Sequence, residues 1–321
     1  MIIILILFLT FASRFAYTVA AFSECNNYIV GEDLQLTGQS TTCELDGAIA
    51  EQKNSNYVSG NIYGKMFLRN GAEINFQDTL TIHNNGYIIV GGTSSILVKA
   101  MAMTIDGKIV GDWRWCKTNS ITTDTAYCGG WAPQSGPGSY TGDAHAPSHG
   151  GLGRGSGAEP VYGNFMQPIE AGSGGVKGTG GCSNNAPGGA AIHIVVEDTL
   201  TLNGVVNMNG AKPDNCGGCN WCVGRGASGA SGGSVWIETA TFAGSGEYQL
   251  DLIRTFGTSM VVGKTIDTNE TDALFFFSSH CYHQVPFPST VVRVAVKDTM
   301  GMGREAEECP SRTTIGCTRG T

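Results

Sequence analysis

The chain has 321 residues, 41% of them hydrophobic and only 14% charged, with 47 glycines and a net charge of −8. That hydrophobic content excludes a disordered polymer, and the glycines lack the three-residue period of collagen. The negative charge is thinly spread and leaves no basic stripe, which argues against nucleic acid as a partner.

In chain order, the first predicted element is a signal peptide over residues 1–21. Ile2 to Ala12 is apolar apart from Thr10, too short to span a bilayer, and Val19, Ala20 and Ala21 suit cleavage before Phe22 or one residue earlier. No later segment is long and apolar enough for a membrane span, so the expected location is secreted, extracellular or at the cell surface. In that compartment the eleven cysteines read as disulfide partners: Cys25, Cys43, Cys116, Cys128, Cys182, Cys216, Cys219, Cys222, Cys281, Cys309 and Cys317. The odd number leaves one thiol free, bridging to another chain, or parted from its partner by truncation. Cys25 with Cys43, and Cys116 with Cys128, are close enough for local bridges, though sequence does not fix connectivity.

Residues 22–300 read as one β-repeat domain. Helical periodicity is almost absent, while alternation at period two recurs around turn glycines. Two residues after Gly86, Gly107, Gly204 and Gly246 stand Ile88, Ile109, Val206 and Tyr248; four residues after them stand Val90, Gly111, Met208 and Leu250. Asn85, Asp106, Asn203 and Ser245 precede those glycines and favour turns. Before the turns, Phe76-Gln-Asp-Thr-Leu80, Val196-Glu-Asp-Thr-Leu200 and Val296-Lys-Asp-Thr-Met300 share one pattern. Such self-similarity, in units of about 20 residues, predicts an all-β fold: a parallel β-helix or β-solenoid, with an antiparallel β-sandwich as the alternative. Glycine- and cysteine-rich insertions are expected at about 111–189 and 211–233, as ordered excursions whose glycines allow close backbone approach. The predicted inward set is Ile82, Ile88, Val90, Ile105, Ile109, Ile194, Leu200, Leu202, Val206, Met208, Ile237 and Leu250. Residues 301–321 form a polar, cysteine-containing tail that could begin a further module.

Across roughly residues 140–252 the chain carries Ser148-His-Gly-Gly-Leu-Gly153, Val161-Tyr-Gly163, Gly172-Ser-Gly-Gly175, Gly188-Gly-Ala-Ala-Ile-His-Ile194 and Gly232-Gly-Ser-Val-Trp-Ile237. The Asn203-Gly204 and Asn209-Gly210 turns fall between the last two. This block resembles the glycine-rich β-helical repeat block of large extracellular eukaryotic surface and wall proteins. The resemblance implies a surface, wall or fibre component and brings no catalytic residues with it.

Few residues suggest chemistry. Asp143, His145 and His149 lie together in a glycine-rich loop, where they could bind a metal, act as an acid–base pair, or brace the backbone by hydrogen bonds. Bracing is the simpler reading. Cys216, Cys219 and Cys222, with Cys182, have zinc-like spacing, but export favours disulfides. Asp78, Asp198 and Asp298 could stack into a calcium-binding ladder; Asp-Thr at a strand corner is more simply a turn. Trp113 and Trp115 alternate, so both rings are expected on one side of a strand. With Trp131 and Trp221 they could contact carbohydrate or another subunit, or pack in the core. Asn269-Glu-Thr271 is an N-glycosylation acceptor. No phosphate loop or serine nucleophile elbow occurs, and no cofactor is expected.

Two function classes follow. The first is a non-catalytic structural or adhesive protein of a coat, wall or fibre, whose partners are further copies, other matrix proteins or glycans. The second is a polysaccharide hydrolase or lyase on a β-helix, which needs a carboxylate pair for hydrolysis or a basic residue beside a calcium site for elimination; Asp112, Asp124 and Asp143 are candidates, but nothing in the sequence pairs them. The first is preferred.

Overall fold

A computed structural model describes residues 23–122, 127–139, 147–150, 160–164, 166–175, 186–212, 228–249, 260–265 and 273–277. The chain enters through β1 (Ser23–Glu24), a 3-10 turn at Cys25–Tyr28, the short β2 (Ile29–Val30), β3 (Asp33–Leu36) and β4 (Thr42–Asp46). There follow β5 (Asn54–Tyr57), β6 (Gly60–Ile62), β7 (Lys65–Arg69), β8 (Glu73–Ile82), β9 (Tyr87–Gly91), β10 (Ile96–Ile105) and β11 (Lys108–Val110). After a one-and-a-half-turn helix, α1 (Trp113–Thr118), come β12 (Ala191–Leu202), β13 (Val205–Asn207), β14 (Ser234–Ala243), β15 (Glu247–Gln249), β16 (Met260–Thr265) and β17 (Ala273–Phe277).

The strands form two sheets that the chain visits alternately from β6 to β16. One runs β1-β4-β7-β9-β11-β13-β15; the other runs β17-β16-β14-β12-β10-β8-β6-β3-β2, with β5 also on β8. The protein is therefore all-β. Among the described residues every pairing is parallel except β2 with β3 and β16 with β17. That pattern is not the antiparallel sandwich of the alternative expectation.

Parallel register stacks like side chains on like. Leu36, Ile62, Ile82, Ile105 and Leu202 are successive neighbours across the second sheet. Cys43, Met66, Ile88, Ile109 and Val206 form the matching column of the first, and Tyr248 continues the register. All of the predicted inward side chains up to Ile237 are buried; Leu250 lies outside the described residues. The Asp-Thr pattern marks where the long strands bend. The ladders of β8, β10, β12 and β14 shift register beside Asp78 and Asp198, whose side chains are exposed.

The first sheet is covered on its outer face too. Phe67, Ile89 and Val110 form a second apolar column beneath Cys116 and Cys128, flanked by Trp115, Ile121 and Tyr127. Burial on both faces explains the unbroken apolar run Ile88-Ile89-Val90. The Cys116–Cys128 disulfide closes this cover, and Cys25–Cys43 ties the first turn to β4. Both local bridges are thus present; the other seven cysteines lie outside the described residues.

Between β11 and β12, and between β13 and β14, glycine-rich segments pack backbone on backbone. Gly130 N–H donates to Gly188 O (2.6 Å), Gly188 N–H to Trp131 O (2.9 Å), Gly172 N–H to Gly189 O (2.8 Å) and Gly189 N–H to Ser231 O (3.0 Å). Side chains have no room there. A Cβ on Gly188 would overlap the Gly172 carbonyl, and one on Gly233 the Ala190 carbonyl.

One expectation is corrected. Trp113 and Trp115 do not share a strand face, because Asp112 caps a helix there: its Oδ1 accepts from Arg114 N (2.9 Å) and Trp115 N (3.1 Å). Two residues apart on a helix is roughly 200° of rotation, so the rings diverge. Trp113 sinks among Ala186, Ala211 and Ala230, while Trp115 tilts against Tyr87 with ring centroids 5.6 Å apart.

Candidate functional site

The glycine-rich segments converge on His149. Its ring is fully buried. Nδ1 lies 2.8 Å from the Gly232 carbonyl, so this nitrogen carries the proton and donates; Nε2 faces the Ser234 hydroxyl at 3.3 Å. Ser234 Oγ donates to the nearer Glu170 carbonyl (2.7 Å). The imidazole packs on Tyr162, with centroids 4.7 Å apart. Tyr162 donates to Ala171 O and accepts from Ser173 Oγ, both at 2.8 Å, and Ser173 Oγ accepts from Gly138 N (2.9 Å). Ser173 N–H reaches Ser231 Oγ (2.7 Å). One network therefore joins five stretches of chain that have few apolar side chains of their own.

Electrostatics match this role. Burial drives the His149 pKa down to about 4, against a smaller upward pull from the Gly232 carbonyl, so the ring is neutral at pH 7. Burial also pushes the Tyr162 phenol up to about 12. A general base must reach a substrate proton; this one is sealed from solvent and engaged by main chain. Asp143 and His145 lie outside the described residues, as do Trp221 and Asn269.

The described tryptophans do not assemble into one platform. Trp113 and Trp115 belong to separate clusters, and Trp131 is half-buried, its main-chain N–H donating to Gly172 O at 3.1 Å. Sequence reasoning passed over Trp236, whose ring stacks on His193 on the outer face of the second sheet, with centroids 3.8 Å apart and planes within 2°. His193 Nε2 pairs with Glu238 Oε1 at 2.6 Å. Burial lowers the His193 pKa more than Glu238 raises it. These rings spend a face on each other, which a sugar ring would otherwise need.

A carboxylate pair absent from the predictions sits on the outer face of the first sheet. Glu44 and Asp46 alternate on β4, and Arg69 on β7 lies opposite Asp46 in register. Arg69 Nε pairs with Glu44, its Nη2 with Asp46 Oδ2 at 2.8 Å, and its guanidinium lies 4.8 Å from the centre of the Tyr127 ring. Burial opposes the Arg69 charge, yet the Glu44 hydrogen bond and both carboxylates hold its pKa above the ordinary value. Asn70 Nδ2 donates to Asp46 Oδ1 (2.9 Å), and Asp46 N–H to Gln52 Oε1 (2.9 Å). Acid–base work on a glycosidic bond uses carboxylates free to exchange protons. Here one guanidinium is paired with both.

Asp78 and Asp198 do not stack, because β10 lies between their strands. Asp198 Oδ1 instead accepts from Thr199 Oγ1 (3.3 Å). Among the described residues no group of three or more His, Cys, Asp or Glu side chains gathers as a metal site, and no helix is long and apolar enough to cross a membrane. No family model, curated protein or solved structure matches the chain.

Proposed function

We propose that this chain is a non-catalytic extracellular protein, structural or adhesive, that serves in a surface coat, wall or fibre and is built on a parallel β-helix. The observation that carries the reading is His149: among the described residues of the glycine-rich block, this chemistry-capable side chain is buried, neutral and spent on holding backbone. The Glu44–Arg69–Asp46 cluster points the same way. Alternation between two parallel sheets, with like residues stacked from strand to strand, supports the β-helix. The glycine block at 140–252 is read as a surface-protein repeat block, and the two disulfides support export through the 1–21 signal peptide. Further copies, matrix proteins and glycans are the partners this reading implies.

The test is to incubate the purified secreted chain with a panel of wall and matrix polysaccharides and follow polymer length. No scission is expected. Scission that disappears in Asp143→Ala would establish the polysaccharide-cleaving alternative instead.

A further inference from the structure

The outer face of the first sheet brings together cations that lie far apart along the chain. Lys65 on β7, Tyr87 on β9 and Lys108 on β11 are consecutive register partners, with Thr42 on β4 before them and Val205 on β13 after. Their chain neighbours Met66, Ile88 and Ile109 fill the core, so strand alternation turns this row outward. Lys65, Tyr87 and Lys108 are each half-buried, with part of the side chain open to solvent.

The helix α1 completes the surface. Trp115 tilts against Tyr87, and the Lys108 ammonium sits 5.1 Å from the centre of the Trp115 ring. Register and ring contacts therefore make Lys65, Tyr87, Lys108 and Trp115 one continuous surface. The cation–π contact also holds the Lys108 ammonium in place, so a partner meets a side chain that is already partly ordered. Acidic groups nearby are engaged elsewhere. Among the described residues neither lysine pairs with a carboxylate, and Glu44 and Asp46, on the adjoining rows, are held by Arg69. Asp106, at the corner before Lys108, accepts from Asn203 Nδ2 (2.8 Å), and Asp112 caps α1. Val205 separates Lys108 from Glu247, the next position of the row.

We propose that Lys65 and Lys108, set on either side of Tyr87, bind the carboxylate or sulfate groups of an anionic polysaccharide. The inference rests on the structural reading above and names the class of glycan. Two strand spacings separate the lysine positions, roughly 9.5 Å. A polysaccharide advances by about one strand spacing per sugar, so acidic groups on alternate sugars reach both ammonium groups while the sugar between them faces Tyr87. The whole chain carries a net charge of −8, but at physiological salt charges more than about 8 Å away are largely screened, and the local cations decide. None of the exposed large hydrophobic side chains belongs to this row, so it has nothing to insert into an anionic bilayer. Two lysines make a weak contact, which becomes effective where one long polymer meets many copies.

The test is binding of the full secreted chain to immobilised polygalacturonate, dextran sulfate and uncharged dextran, with polymer length followed in parallel. Binding to at least one acidic polymer and none to dextran is expected, fading toward 1 M salt, where the Debye length is about 3 Å. Lys65→Gln and Lys108→Gln should each weaken binding by about threefold to fivefold, and the double variant by about tenfold or more. The double arginine variant, Lys65→Arg with Lys108→Arg, should retain it, which separates loss of charge from loss of fold. Lys99→Gln, at an exposed lysine of the second sheet, should leave it unchanged. No binding to either acidic polymer, or binding indifferent to the double glutamine variant, would overturn the proposal. So would equal binding to uncharged dextran, or tighter lysine-dependent binding to phosphatidylserine vesicles or single-stranded DNA. Polymer scission alongside lysine-dependent binding would sink the structural reading and keep the site. Absence of both would sink the site alone.

Discussion

The strand stack from β3 to β14 and the glycine-rich segments that interrupt it are ordered by opposite means. In the stack, side chains carry the packing: Leu36, Ile62, Ile82, Ile105 and Leu202 repeat one apolar shape at each level. In the glycine-rich segments the backbone packs on itself, and the few larger side chains, His149 and Tyr162, act as struts. Order can thus come from a pattern of side chains or from their systematic removal. The two regions should fail differently when changed.

The largest effect is expected from adding atoms where none fit. Gly233→Val would drive a branched side chain into the Ala190 carbonyl, and a loss of more than about 4 kcal/mol of stability is predicted from denaturant unfolding. In the stack the sensitive change is the reverse. Leu202→Ala, at a side chain 1% exposed, should cost about 2–5 kcal/mol by the same measurement. A Gly233→Val protein as stable as wild type would erase the distinction between the regions.

His149 adds a pH dependence of its own. Its folded pKa is about 4 against an ordinary 6.5, so below the higher value the unfolded chain takes up a proton that the folded chain refuses. Stability is full above that pH, falls as pH drops toward the folded value and levels off there, a total of about 3 kcal/mol. His149→Gln should flatten this part of the stability–pH curve. The smallest effect belongs to the cover on the first sheet. Asp112→Ala removes the α1 cap and should cost about 1 kcal/mol, read as a lowered unfolding midpoint.

The stack was readable in the sequence because period two and turn glycines leave a mark on every level. Ile88, Ile109, Val206 and Tyr248 align by counting from a glycine, and those are the neighbours in the sheet. Trp113 and Trp115 misled for a physical reason: a short helix capped by Asp112 shows the same alternation as a strand over so few residues. The Glu44–Arg69–Asp46 cluster was invisible because only strand register brings Arg69 opposite Asp46. His149 was visible as a brace, but not its partners. Gly232 O is a main-chain atom, which leaves no trace in residue identity, and Ser234 lies 85 residues away along the chain.

The most direct test of the claim that the glycine block is a framework and not a reactive site is an NMR pH titration of the His149 ring in the secreted chain. The ring should stay neutral, protonated on Nδ1, down to about pH 4, with no change on adding wall oligosaccharides. Titration near the ordinary 6.5, with ring shifts that move on oligosaccharide addition, would contradict it.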